Sequence, residues 1–437
     1  MSRLPVVVLL ILCLLPVRGR AEAPARLDID QAVSIALSSH ERIEQAKERL
    51  AAARAEARAA KAERLFRIDA AYSYDRLDER PFERFNGLSF TVNDEDLVHY
   101  QLSLTQPLFT GFALSARQKL AAIGADLAAW DLEAARRKLA FDVRAAAIEL
   151  LLARADRRLA AEQRQQFDRH LQDARALNAQ GMIAGNDVLK AEVALAAAEQ
   201  QLATAESRVL VARSRLNLLL GRPRQAAIDL IEPSLPAGDG ELDSLIDEAL
   251  AKRPELHAAT LALEAARQKL RLAGSAFYPE LALVAGYWRD GDNLNASRNI
   301  YRNNENSAIG LRLQWNLFAG GADRARLNAE RHRLQEKRQA LKELRDMIGL
   351  QVEQALRRLQ TARQNRETAE KALQQARENH RMSVLQFREN LISISDLIEA
   401  RTTLTRAESN LQAARYGQLL AAAQLDYALG RQPARSR

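Results

Sequence analysis

Two periodicities alternate along the chain. Over 30–64 and 242–275, apolar positions recur at helical spacing among Ala, Arg and Glu, with Pro254 the single internal proline; both stretches predict helices. The same period runs through 113–179 and 322–386, predicting helices of about 65 residues, each about 100 Å long at 1.5 Å per residue. A turn follows each, and then a second helix, over 187–220 and 396–429. Between these helices the period changes to 2. Phe66, Ile68, Ala70, Tyr72 and Tyr74 alternate with Arg67, Asp69, Ala71, Ser73 and Asp75. Val98, Tyr100, Leu102 and Leu104 alternate with His99, Gln101, Ser103 and Thr105, and Ile309, Leu311, Leu313, Trp315 and Leu317 alternate with polar or small residues. Strands are therefore predicted over 66–76, 98–108 and 308–318, with 281–289 the least regular because Val284 and Trp288 fall on the polar parity. The polar stretches 78–97 and 290–307 between the paired strands predict loops.

The chain is written twice. Leu102-Ser-Leu-Thr-Gln-Pro-Leu-Phe-Thr-Gly111 aligns with Leu311-Arg-Leu-Gln-Trp-Asn-Leu-Phe-Ala-Gly320 at an offset of 209. That offset carries Gly181-Met-Ile onto Asn390-Leu-Ile, Asp187 onto Asp396, and Leu220-Gly-Arg222 onto Leu429-Gly-Arg431. Upstream of the strands the offset is 213, and a loop absorbs the difference. The repeats occupy 22–220 and 241–430, with strand pairs 66–76/98–108 and 281–289/308–318 and helical hairpins 113–220 and 322–429; a tail, 431–437, follows. The join at 221–240 holds Pro223, Pro233 and Pro236, which break helix and strand. In the last helix of the first repeat, Val188, Leu195, Leu202, Val209 and Leu216 recur every seven residues, with Ala191, Ala198, Ala205 and Ala212 between them. This 3–4 spacing predicts coiled-coil packing at close approach.

Composition refines the picture at the N-terminus. Arg3, the apolar run Val6–Leu15 and Gly19-Arg20-Ala21 predict a signal peptide over 1–21, too short to span a bilayer as a helix. Cys13, the only cysteine, lies in that run, so the mature chain has no disulfide or thiolate site. The formal charge is +8, or +5 without Arg3, Arg18 and Arg20. This surplus is spread over helices rich in both signs, which predicts solvated faces and no nucleic-acid partner. The six histidines share no ligand spacing, and phosphate-loop, G-x-S-x-G and H-E-x-x-H patterns are absent, so neither an enzyme nor a cofactor or metal site is expected.

No helical stretch is apolar enough to cross a membrane, so membrane insertion would use the strands. Each is about ten residues, the length of a tilted transmembrane strand. Of 22 aromatic residues, nine lie in 66–112 and seven in 277–318, as interfacial girdles require. A soluble sheet with one wet face shows the same alternation, but the export signal and the aromatic clustering favour a barrel in outer-membrane lipid. Four strands leave two open edges, so closure requires 4n strands from n chains: eight from two, or twelve with a lumen from three.

These motifs, in order and spacing, resemble the TolC-like outer-membrane efflux proteins over the whole mature chain. The resemblance rests on Gln106-Pro-Leu-Phe-Thr-Gly111, Trp315-Asn-Leu-Phe-Ala-Gly-Gly321, Gly181-Met-Ile-Ala-Gly-Asn-Asp187 and the two Leu-Gly-Arg sequences. It implies an α+β membrane protein: a homotrimer with four transmembrane strands per chain in one 12-stranded barrel, above a long periplasmic α-helical coiled-coil barrel. By resemblance it would be the exit duct of a tripartite efflux or type I secretion system, docking a periplasmic adaptor fed by an inner-membrane transporter of the RND, ABC or MFS type. The adaptor-contact tips would be Gly181, Met182 and Ile183 with Asn390, Leu391 and Ile392. Gly and Asn both tolerate the left-handed turn between helices. The periplasmic gate would comprise Asp187, Asp396 and Glu399, the last one turn after Asp396 on the same face; helix capping alone would account for both aspartates. Ile392 stands where the family's better-known members carry an arginine that helps hold the gate closed. The rival readings are a periplasmic coiled-coil adaptor, which would have one hairpin flanked by small β domains, and a soluble scaffold.

Overall fold

The computed structural model describes residues 26–235, 240–301, 303–389 and 391–431; the expected signal segment 1–21 and residues 432–437 of the tail lie outside them. The elements run β1 Arg26–Leu27, α1 Ile29–Ser39, α2 Glu41–Ala62, β2 Arg67–Arg76, β3 Phe82–Phe85, β4 Leu88–Thr91, β5 Asp96–Thr110, α3 Ala113–Ala179 and α4 Gly185–Leu219. The join holds β6 Asp229–Leu230, and the second repeat gives α5 Leu242–Lys252, α6 Pro254–Gly274, β7 Glu280–Gly291, β8 Glu305–Gln314, α7 Ala322–Arg388 and α8 Ile394–Ala428.

Both helices expected upstream of the strands are in fact broken in two, at equivalent positions. Arg253 is extended (ψ 123°) because the ring of Pro254 disfavours the helical conformation of the residue before it. His40 is extended without a proline (ψ 135°). Its imidazole Nδ1 accepts from the Arg42 N–H at 3.1 Å, capping α2.

Strands β2, β5, β7 and β8 form one antiparallel sheet in that order, with β5 against β7 joining the two repeats. Pro107 sits beside the bulge in that pairing, where a missing N–H is tolerated. The register gathers Ile68, Leu102, Leu104, Leu283, Ala285, Ile309 and Leu311 on one face and Asp69, Ser103, Thr105, Gly286 and Ala308 on the other. Trp288, which blurred the alternation, lies opposite Gln101 on the polar face. On the apolar face, Tyr100 and Tyr287 meet edge to face near the loop end. At the helix end Phe109, Phe112 and Tyr278 form a second aromatic group. The edges β2 and β8 are unpaired and exposed throughout.

Two expectations fail locally. The fourth strand ends at Gln314 instead of 318, because Trp315 leaves the sheet and its indole N–H donates to the Phe277 carbonyl at 3.3 Å. The presumed loop at 78–97 contains the β3–β4 hairpin, turned by Asn86 and Gly87 at φ 50° and 83°. An Asn-Gly pair between apolar-rich strands is a strong hairpin signal, and it was present in the sequence.

Each long helix, of 67 residues, folds back along its partner, α3 on α4 and α7 on α8. The seam alanines Ala191, Ala198, Ala205 and Ala212 are buried, while Val188, Leu195, Leu202 and Val209 are half-buried. The alanines therefore form the line of closest approach. The main core joins α1 and α2 to the middle of α3, the end of α4 and Tyr416 and Leu419 of α8. A second core joins α5, α7 and the end of α8.

Candidate functional site

The site is the end of the helical hairpins farthest from the sheet. Helix α3 ends in a Schellman turn: Met182 N–H donates to the Leu177 carbonyl and Gly181 N–H to the Asn178 carbonyl, both at 2.9 Å. Gly181 takes φ +72°, which an L side chain would strain. In the second repeat Leu391 N–H donates to the Gln386 carbonyl at 2.8 Å, the same 6→1 bond; Asn390 itself lies outside the described residues. The remaining expected tip residues divide by exposure. Met182 and Leu391 project into solvent, at 54% and 73% exposure. Ile183 and Ile392 are half-buried. Ile183 packs with Val188 and Phe387 against Leu171, Ala174, Ala191 and Ile394, a small core that binds the first hairpin to the start of α8.

The three expected acidic residues have distinct environments. Asp396 is the third residue of α8 and closes a capping box. Its carboxylate accepts from the Ser393 hydroxyl at 2.7 Å and the Ser393 N–H at 2.9 Å, while the Asp396 N–H donates to the Ser393 hydroxyl at 3.2 Å. These bonds from Ser393 hold the Asp396 carboxyl below the usual carboxylate range. Asp187 lacks such a cap, because Ala184 replaces Ser393, and it pairs instead with Lys190 at 3.0 Å. Glu399 is exposed and makes no ion pair among the described residues. Asp396 and Glu399 thus present an exposed acidic pair, one turn apart, on α8 alone.

Lys190 and Ser395 are the residues here that sequence reasoning missed as a contact: the Lys190 ammonium also donates to the Ser395 hydroxyl at 3.2 Å. The Ser393-x-x-Asp396 spacing before an apolar run is a capping signature that the sequence did display. Farther from the tip lies a layer of charge without sequence spacing. Arg401 of α8 is 4% exposed and its Nε has no hydrogen-bond partner; its guanidinium lies 3.9 Å from Glu408. His170 of α3 and His380 of α7 are both pushed down, first by burial and also by the Arg401 charge. Among the described residues no group of three or more His, Cys, Asp or Glu is placed to hold a metal ion, and no helix is long and apolar enough to cross a membrane.

Comparison with known proteins bears on the family and the fold. The model of the family described as outer membrane efflux protein matches residues 32–222 and 245–431, one match per repeat, and the chain belongs to that family. Its place is the outer membrane, with a large periplasmic portion. Protein CyaE of Bordetella pertussis is 30% identical over 220 residues, 48% of this chain and 44% of that protein, so the chain spans less than half the length of that curated relative. The fold matches the outer membrane protein VceC of Vibrio cholerae (TM-score 0.79, 21% identity, 92% of this chain and 96% of that one). It also matches the open-state MtrE outer membrane channel of Neisseria gonorrhoeae (0.73, 19%, 92% and 88%) and the CmeC outer membrane channel of Campylobacter jejuni (0.78, 16%, 92% and 85%).

Proposed function

We propose that the protein is the passive exit duct of a tripartite efflux or type I secretion assembly, conducting substrate from a periplasmic adaptor and an inner-membrane transporter to the exterior. The observation that carries this reading is the pairing of one apolar-faced sheet with two open edges to hairpins about 100 Å long. Such a sheet is stable in lipid only when its edges close. Three copies close it into twelve strands around a lumen and set six hairpins side by side as a tube. The apolar side chains of Met182 and Leu391, exposed at the tips, are the adaptor contacts; Gly181 makes the turn that presents Met182, and Asn390 is the tip residue matched to it in the second repeat. Ile183 contributes by fixing the tip, since it packs inward. Asp396 and Glu399 form the acidic ring of the periplasmic entrance. Asp187 stands beside it with its charge offset by Lys190.

Photo-cross-linkers at 182 and 391 test the reading. The expected product is one periplasmic adaptor joined to a heat-modifiable oligomer in the outer-membrane fraction. A soluble periplasmic monomer with no adduct from either position sinks the proposal.

A further inference from the structure

Halfway along the first hairpin, helices α3, α4 and α8 and the inter-repeat linker enclose a groove of about 470 Å³. Arg154, Arg157, Arg158 and Arg213 line it, against the carboxylates of Asp229 and Glu232. Those two acids are already engaged. Asp229 pairs with Arg26 at 3.2 Å and Arg154 at 3.9 Å. Glu232 pairs with Arg415 at 3.4 Å and accepts from the Tyr416 hydroxyl at 2.7 Å. The lining thus sets four guanidinium groups against two carboxylates, a formal surplus of two, and those carboxylates are shared further with Arg26 and Arg415. Arg157, Arg158 and Arg213 make no ion pair among the described residues, and the Arg213 Nε is buried without a hydrogen-bond partner. Like charges at this density repel, and a buried donor without an acceptor costs stability. An oxyanion in the groove answers both.

The cluster belongs to the first repeat. At the 209-residue offset, Arg158 and Arg213 correspond to Glu367 and Ala422, and Arg157 corresponds to Arg366, which is paired to Glu370 at 2.6 Å. Its depth limits the ligand. From Ala113 at the sheet to Arg154 runs about 60 Å of helix, and from Arg154 to the tip at Ala179 about another 40 Å. Lipid headgroups of the outer membrane do not reach it. The ligand is therefore periplasmic, anionic and small enough at its point of contact to enter a groove of this size.

We propose that this groove binds the free carboxylates of peptidoglycan stem peptides, anchoring the periplasmic shaft in the cell wall. A guanidinium fork matches a carboxylate bidentately. A polymer that repeats its carboxylates at close intervals engages several grooves of one oligomer at once, so weak single contacts add by avidity. A free small anion gains nothing from that repetition.

Co-sedimentation of the purified full-length oligomer with insoluble peptidoglycan sacculi tests this. Wild type pellets with sacculi, and R157E/R158E pellets at least tenfold less. Amidating the carboxylates of the sacculi abolishes pelleting, and the control reversal K371E/R377E on α7 leaves it unchanged. If charge reversal prevents oligomer assembly on gel filtration, R157Q/R158Q carries the test, with a smaller loss in the same direction. Wild type that does not pellet, variants that pellet equally, or pelleting indifferent to amidation each overturn the proposal. So does an acidic protein that occupies the groove while sacculi do not bind.

Discussion

The Lys190 ammonium lies 3.0 Å from the Asp187 carboxylate and 3.2 Å from the Ser395 hydroxyl, and so ties the start of α4 to the start of α8. Its counterpart in the second repeat is Glu399, so one repeat position carries the tie and the other an exposed acid. Replacing Lys190 by Glu sets a carboxylate against Asp187 and loosens this joint. Lys190 is exposed, so the contact contributes at most about 1 kcal/mol, or about fivefold in an open-to-closed ratio. Planar-bilayer recordings should show K190E open more often than wild type and K190R unchanged.

The acidic pair on α8 is separable from the cap that supports it. D396A/E399A should weaken block of single-channel current by divalent and trivalent cations. S393A removes the hydroxyl of the capping box, at a cost of about 1 kcal/mol, and should leave the block as it is. Unchanged block in D396A/E399A removes these carboxylates from the entrance.

His170 and His380 give the lower shaft a pH dependence. Both are held below the ordinary histidine value of 6.5 by burial. His170 faces Asp173 and Arg169 of α3 and Arg401 of α8, and His380 faces Arg401 and His170; Arg401 in turn faces Glu408 and Glu162. A base whose folded pKa is depressed binds more protons unfolded than folded, so stability falls as the pH drops below 6.5. Thermal melts from pH 7.5 to 5 should show the loss, and H170Q/H380Q should flatten the acid limb.

Arg431 grips Glu248 with two hydrogen bonds of 3.0 Å, clasping the end of α8 to α5. Arg431, with help from Lys252, holds the Glu248 carboxyl down at about 2. The sign is that of a depressed acid: the contribution is full above the ordinary value of 4.5 and is lost as the pH falls towards 2. With Arg431 half exposed to solvent screening, E248Q should cost about 1 kcal/mol at neutral pH and almost nothing at pH 2, read by denaturant titration at each pH.

Gly111 is the most constrained point of the strand-to-helix passage. It takes φ +59°, and a Cβ there would lie 2.6 Å from the Ser275 carbonyl oxygen and 2.8 Å from the Tyr278 Cβ. G111A should cost about 1–3 kcal/mol and sharply reduce the heat-modifiable oligomer. Ala at Gly320, where nothing lies within 4 Å, meets only the positive φ and should be tolerated better.

The sequence by itself determined the duplicated plan, because periodicity and repetition are local and two-fold redundant. The change from period 3.6 to 2 marked where the sheet begins. The Leu-Gly-Arg endings marked where α4 and α8 stop, with Gly221 and Gly430 at φ +65° and +79°. Pro254 and Asn86-Gly87 were equally legible as chemistry, one breaking a helix and the other turning a hairpin. Only the tertiary structure decided the break at His40, since no local propensity forbids a helix through histidine; its imidazole caps α2. Only tertiary structure set β5 against β7, brought Lys190 to Ser395, and gathered Arg154, Arg213 and Asp229 from three segments into one groove. Those contacts join residues far apart in the chain. Their energy comes from burial and charge pairing, which a pattern along the sequence does not encode.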